Sequence, residues 1–280
     1  MTYAPLTAPR HKIRISTFFR YLFLIVVSLL SIFPLLWMAV SATNDSTTVL
    51  SGTLLPGPHL VDNFKNLVAN QDIWGALKNS LIYSLSQTVL SLMICSLAGY
   101  GFEIYHTKSK DRLMSVLLTA MMVPLAATMV PLFQMMSKMG LLNTAIGFVL
   151  PSVSTPFLIM MFRQSARSFP HDIIEAARID GLNEFQIFYR MFFPTMRSTY
   201  AAAMTITFMN AWNSYLWPKV IMQTNESITM PMLTANLVAG YVTDYGMLML
   251  AVLISTLPTV IIFFLLQKSF TEGIAGSVKG

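Results

Sequence analysis

Six uninterrupted apolar runs, each long enough to cross a bilayer, constrain this chain before any other feature does. They lie at Tyr21–Ser41, Leu77–Phe102, Leu113–Met136, Thr144–Phe162, Tyr200–Met222 and Met247–Gln267. A helix rises about 1.5 Å per residue, so roughly 20 apolar residues cross a hydrocarbon core of about 30 Å. No charge occupies the middle of any run. Lys78 and Lys219 sit near ends, where a long aliphatic stem carries the ammonium to the interface. A membrane β-barrel would instead need short segments of alternating polarity. The expected fold class is an all-α polytopic membrane protein with six transmembrane helices across residues 21–268. An N-terminal segment, residues 1–20, precedes them and a tail, residues 269–280, follows. Charged residues make up 11% of the chain, against about 25% in an ordinary soluble domain. So few charges could not clothe a soluble surface, and so much apolar surface excludes disorder.

The basic residues orient the spans, because Lys and Arg collect on the cytoplasmic side. With the N-terminus inside, Arg10, Lys12, Arg14, Arg20, Lys108, Lys110 and Arg112 are cytoplasmic. So are Arg163, Arg167, Arg178, Arg190, Arg197, Lys268 and Lys279, leaving only Lys65, Lys78, Lys138 and Lys219 outside. The net charge of +6 is therefore a topology signal and argues against a nucleic-acid role. Both termini are expected in the cytoplasm. The start of the chain bears some likeness to a signal peptide, with a basic region, an apolar run and Val40-Ser41-Ala42. That run is long for a signal sequence and contains Pro34, so it reads as an uncleaved first helix. One cysteine, Cys95, permits no internal disulfide, and the four histidines show no metal-ligand spacing.

Between the spans, residues 42–76 form an outside loop too long for a bare connection. Asp62 is a candidate N-cap, followed by Phe64, Leu67 and Val68 at helical spacing and by Trp74 as an interface anchor. A short surface helix, also able to serve as a docking shelf, is the expectation. Pro124 and Pro131 should kink the third span, since each removes a backbone hydrogen bond. Gly99 and Gly101 in the second span read as close-packing residues. The fifth span ends in amides and aromatics: Asn210, Trp212, Asn213 and Tyr215. Such groups are costly at membrane depth unless they meet partners or water. Aromatic faces beside amides suit a sugar ring, so these four are the candidate substrate path. An interfacial aromatic belt with interhelical hydrogen bonds is the alternative.

The loop Arg163–Arg197 is the one cytoplasmic connection long enough to fold on its own. Ser168 and Pro170 are helix-start signals, and Gly181 is a C-cap residue. Asn183 with Gln186 resembles a capping box opening a second helix, which Pro194 should end. At 100° per residue, Ile173, Ile174, Ala176 and Ala177 gather on one arc. Asp172, Glu175 and Arg178 occupy the other, with Ile179 exposed among them.

The pattern Glu175-Ala176-Ala177, three residues, Gly181, nine residues, Met191-Phe192-Phe193-Pro194 resembles the EAA loop of ABC importer permeases. Met191 and Phe193 replace the Ile and Leu of the family pattern, with similar volume. Segments such as Phe33-Pro34-Leu35-Leu36-Trp37-Met38, Asn63-Phe64 and Trp212-Asn213-Ser214-Tyr215-Leu216-Trp217 are similar to the carbohydrate, maltose-type permeases, and the likeness covers essentially the whole chain. The resemblance implies a membrane-spanning subunit for a sugar or oligosaccharide in the bacterial cytoplasmic membrane, with a polyol phosphate as another possible cargo. It implies three kinds of partner: a second permease subunit forming a heterodimer, an ABC ATPase dimer, and an extracytoplasmic sugar-binding protein. It also implies that Glu175, Ala176, Ala177, Ile179, Asp180, Gly181 and Pro194 couple to the ATPase. The chain has no G-x-x-x-x-G-K-[ST] loop. No cofactor is therefore expected on it, ATP and Mg belong to the partner, and it is not itself expected to be an enzyme. A secondary transporter would place ionisable groups mid-membrane, and these runs have none.

Overall fold

A computed structural model describes residues 15–239 and 243–277. Arg10, Lys12, Arg14 and Lys279, assigned to the cytoplasm above, lie outside the described residues. Helices are the regular structure among the described residues, with no strand among them. In chain order the α-helices are α1 (Ile15–Ser41), α2 (Ser46–Leu50), α3 (Leu60–Asn70), α4 (Ile73–Ile104), α5 (Lys108–Ala120), α6 (Leu125–Lys138) and α7 (Ala145–Val149). There follow α8 (Pro156–Ala166), α9 (His171–Ile179), α10 (Glu184–Ile187), α11 (Phe193–Thr195), α12 (Arg197–Trp212), α13 (Leu216–Ile221), α14 (Met230–Val238) and α15 (Tyr245–Ser277).

Contacts divide the chain into two units, residues 1–64 with 244–253, and residues 65–243 with 254–280. In the first unit two asparagines tie the loop after α1. The Asn63 amide donates to the carbonyls of Ala42 and Asn44 at 2.9 Å each. Asn44 in turn donates to Val40 and Leu55 at 3.1 and 3.0 Å. A short helix is present at the expected place as α3. Asp62 lies inside its first turn rather than at its N-cap, because the helix begins two residues earlier.

The second unit is built around α4, which packs against both α8 and α12. Gly99 allows the first of these contacts: a Cβ there would stand 2.6 Å from Phe162 Cβ and 2.7 Å from the Arg163 nitrogen. Gly101 differs from the expectation, since a Cβ at that position would meet nothing.

Among the described residues, three helical stretches are long and apolar enough to cross a membrane: Thr17–Ser41, Ile73–Ile104 and Tyr245–Gln267. Two bent pairs qualify if each is counted as one broken span, α5 with α6 at 98° and Ala145–Ser152 with α8 at 56°. The first bend follows from Pro124, which sits in extended backbone ahead of α6, whereas Pro131 is carried inside that helix. The run Tyr200–Met222 is also interrupted: α12 stops at Trp212 and α13 starts at Leu216. A continuous helix would drive the Pro218 ring against the Ser214 carbonyl. The Asn213 side chain also turns back to bond the Met209 carbonyl at 2.9 Å, competing with the helical ladder.

Candidate functional site

The loop Arg163–Arg197 folds as a helical hairpin whose turn is set by backbone chemistry. Pro170 precedes α9, and its fixed φ of −63° suits that position. Gly181 ends the helix with φ +79°, in the left-handed region that glycine enters without strain. Two residues later both bonds of the capping box form, Gln186 N to Asn183 Oδ1 and Asn183 N to Gln186 Oε1, each 2.9 Å. Arg178 and Glu184 pair across the turn at 2.8 Å. That bond from Arg178 holds the Glu184 carboxyl below its ordinary pKa.

Beyond α10 the chain widens into a π turn over Phe188–Phe192 before α11. Pro194 therefore does not end the second helix as expected. It occupies the first turn of α11, and the wider turn relieves the clash its ring would make with the Arg190 carbonyl.

The hairpin is seated by a cluster of Tyr100, Phe169, Ile174, Ala177, Ile187 and Phe192, among others. The Tyr100 ring meets Phe188 and Phe192 edge-on, with centroids 5.4 and 5.0 Å apart. Only Ile174 and Ala177 of the expected apolar arc are buried; Ile173 and Ala176 are exposed. A nine-residue helix resting on one narrow aromatic ridge covers an i, i+3 stripe and leaves the flanks open. Glu175 and Asp180 are exposed too, and Ile179 is 86% exposed. Of the seven residues that the resemblance assigns to coupling, then, only Ala177 and Pro194 are partly or fully withdrawn from solvent.

A charged cluster at the foot of this hairpin was not anticipated. Arg163, 3% exposed, donates from Nε to Glu103 at 3.0 Å and from a terminal nitrogen to Asp111. Arg167 approaches the other Glu103 oxygen at 3.4 Å, and His106 bonds Asp111 at 2.9 Å. The hydrogen bond from Arg163 is the main cause holding the Asp111 carboxyl below its usual range. Burial opposes the Arg163 charge, but its two carboxylate partners outweigh this and raise its pKa. The signal available in the sequence is positional: Glu103 and Arg163 each directly follow an apolar run.

The four candidate path residues separate. Trp212 is 1% exposed, stacked on Phe208 and bonded through Nε1 to the Ser255 carbonyl at 2.9 Å. It is a packing residue within its unit. Asn213 and Tyr215 are exposed, and Asn213 is occupied with its own helix. Asn210 alone of the four lines a cavity, of about 200 Å³, whose wall also includes Gln87, Thr207, Ser214 and Trp217. Gln87 and Thr207 lie inside apolar runs, where a single polar residue gives no signal of a site.

With this geometry in place, comparison with known proteins gives a consistent result. The family described as "Binding-protein-dependent transport system inner membrane component" matches residues 91–276. The chain is 41% identical over 266 residues to the lactose transport system permease protein LacG of Rhizobium radiobacter, covering 95% of this chain and 97% of the relative. It is 34% identical to the arabinooligosaccharides transport system permease protein AraQ of Bacillus subtilis (strain 168), covering 92% and 94%. Identity to the sn-glycerol-3-phosphate transport system permease protein UgpE of Escherichia coli (strain K12) is 28%, covering 94% and 97%. In fold it is similar to a chain of a bacterial ABC transporter involved in the import of the acidic polysaccharide alginate. The TM-score is 0.77 at 20% identity, over 95% of this chain and all of that one.

Proposed function

The chain belongs to the family of inner-membrane components of binding-protein-dependent transport systems, and from that premise we propose that it is one permease subunit of an ATP-driven importer for a sugar or oligosaccharide. The observation that carries this reading is the 41% identity, over 95% of the chain, to a lactose permease. The subunit works beside a second permease, with an ABC ATPase dimer holding ATP and Mg on the cytoplasmic side. An extracytoplasmic binding protein delivers the sugar. The residence is the bacterial cytoplasmic membrane, with six spans and both termini inside. In this count α1, α4 and α15 are unbroken spans, while α5–α6, α7–α8 and α12–α13 are broken ones. Discontinuous helices at membrane depth are tolerated where they are buried in protein or line a cavity, which supports counting them so.

The exposed side of α9 is the contact to the ATPase. Glu175 and Asp180 present carboxylates there and Ile179 presents an uncovered apolar side chain. Ala176 adds a small surface for close approach, while Ala177 packs inward and Gly181 and Pro194 fix the hairpin's shape. Force delivered to α9 reaches α4 through Tyr100, because the same aromatic cluster seats the hairpin on that helix. The 28% identity to a glycerol-phosphate permease supports a second reading in which the cargo is a phosphorylated polyol.

The test is uptake into vesicles by this chain co-expressed with its partners, using labelled lactose, arabinan oligosaccharides and glycerol 3-phosphate. ATP-dependent uptake of a saccharide that requires the binding protein is the expected result. Uptake by this chain alone, abolished by dissipating ion gradients, would overturn it.

A further inference from the structure

We propose that this chain itself holds one ring of an uncharged saccharide, in the cavity where Gln87, Thr207, Asn210 and Ser214 converge beside Phe148 and Trp217. The proposal rests on the importer reading above and goes beyond it by placing sugar contacts on this subunit and by excluding a phosphorylated cargo.

The cavity forms where helices are interrupted. Gln87 comes from the middle of α4, Phe148 from α7 just ahead of the break before α8, Asn210 from the last turn of α12 and Ser214 from the break between α12 and α13. Each interruption brings polar side chains to a depth where the runs are otherwise apolar. Their hydrogen-bonding capacity is unspent. Among the described residues, the side chains of Gln87, Asn210 and Ser214 bond to no protein group, although Gln87 is only 8% exposed. Thr207 Oγ1 is buried without a partner. Buried polar groups are almost always satisfied, so the open Thr207 hydroxyl and the largely enclosed Gln87 amide, with the accessible Asn210 and Ser214 beside them, mark a place for a ligand that brings its own donors and acceptors.

The chemistry of the wall selects the ligand. Amides and hydroxyls complement sugar hydroxyls, which both donate and accept. The aromatic faces suit the C–H face of a pyranose, and Trp217 is held in place by its Nε1 bond to the Gly147 carbonyl at 3.2 Å. No Lys, Arg, His, Asp or Glu lines the cavity. Phosphate recognition in a low-dielectric site relies chiefly on the full charge of Arg or Lys. The wall does include the first turn of α8, with Thr155, Phe157 and Leu158, but Pro156 gives it no N–H and the Leu158 N–H is taken by the Thr155 hydroxyl at 3.4 Å, so a phosphorylated polyol lacks the countercharge it needs here. At about 200 Å³ the space suits a single ring. Two larger cavities, of about 380 and 390 Å³, are walled almost wholly by apolar side chains and offer a sugar nothing comparable.

The experiment uses the whole reconstituted complex with saturating loaded binding protein. Its probes are lactose and arabinan oligosaccharides with their monodeoxy counterparts, and glycerol 3-phosphate. Gln87→Leu and Asn210→Leu are each compared with wild type on a transported sugar and on its deoxy analogue. The binding protein is common to all arms, so its own selectivity cancels in the comparison. Each variant should slow transport of the parent sugar roughly three- to tenfold, the worth of one hydrogen bond. It should slow a deoxy analogue lacking the matching hydroxyl by much less, with ATPase assembly unchanged. Should Gln87→Leu fail to assemble, Asn210→Ala and Ser214→Ala, at accessible positions, carry the same comparison. Equal slowing on both sugars, or none, overturns the site while leaving the importer reading intact. A wild-type complex that imports glycerol 3-phosphate as well as the saccharides overturns the neutral-ligand assignment. One that imports no saccharide overturns both readings.

Discussion

Two glycines two residues apart separate packing from conformation at the scale of a single residue. Gly99 lies where the α8 backbone approaches α4, and a Cβ there would stand 2.7 Å from the Arg163 nitrogen and 2.9 Å from the Ile159 carbonyl oxygen. Backbone cannot swing aside as a side chain can, so Gly99→Ala should destabilise the chain by about 1–3 kcal/mol, the usual cost of overpacking. Gly101→Ala adds its methyl to open space and should be neutral or stabilising by up to about 1 kcal/mol. Thermal unfolding midpoints of the two variants in detergent check the difference. Arg163 poses an electrostatic version of the same question. Arg163→Met leaves Glu103, itself largely buried, without its closest cation. The expected loss is about 2–3 kcal/mol, below the value for a fully enclosed pair because Asp111 remains partly wet. The pH dependence has a definite sign. Arg163 depresses the Asp111 carboxyl, so that contribution is complete above the ordinary carboxylate pKa and is lost only as pH falls through the lowered value. Wild-type stability should therefore fall in acid, below the ordinary carboxylate range, and Arg163→Met should flatten that limb.

At the scale of the element, the α9–α10 hairpin was the part most legible in the sequence, and the reasons are local. Pro170, Gly181 and the Asn183–Gln186 pair act within a few residues of themselves, and each adopts the geometry its side chain favours. Pro194 escapes a local reading because its neighbours decide its effect: a π turn upstream removes the clash that would stop the helix. Gly181 offers a clean test, since nothing surrounds it and only its φ of +79° resists a side chain. Gly181→Val should strain the turn by about 1–2 kcal/mol and re-aim α10, leaving an assembled complex that hydrolyses ATP without transport. Gly181→Asn should retain coupling, because asparagine tolerates the left-handed region. Ile179→Asp should instead weaken retention of the ATPase itself, since the side chain is 86% exposed and free to be buried by a partner. Pull-down of the ATPase together with substrate-stimulated hydrolysis distinguishes the two effects. Wild-type behaviour in all three variants would remove α9 from the coupling path.

Across the whole molecule, what the sequence concealed was long-range. Glu103 and Arg163 are 60 positions apart, and no periodicity in either run predicts that they meet. The cavity likewise joins distant segments, Gln87 from one apolar run and Thr207 and Ser214 from another, and a single polar residue in an apolar run is unremarkable until its neighbours are known. Apolar runs show where a chain enters the membrane but not whether its helix is continuous. Pro124 and Pro218 break helices that hydropathy alone would draw straight. Sidedness rests on a different observation, the fourteen-to-four division of basic residues, and it can be tested with the chain's own chemistry. Cys95 is fully buried and contributes little background to thiol labelling. Cysteines introduced separately at Ser168, which is exposed, and at Thr53, which is partly exposed, lie in loops assigned to opposite sides. An impermeant reagent applied to spheroplasts should label the Thr53 position and reach Ser168 only after the membrane is opened. The reverse pattern would place α9 outside, where no ATPase could reach Ile179. Positive charge would then have failed as a guide to orientation in this chain, and the coupling role of the hairpin would fall with it.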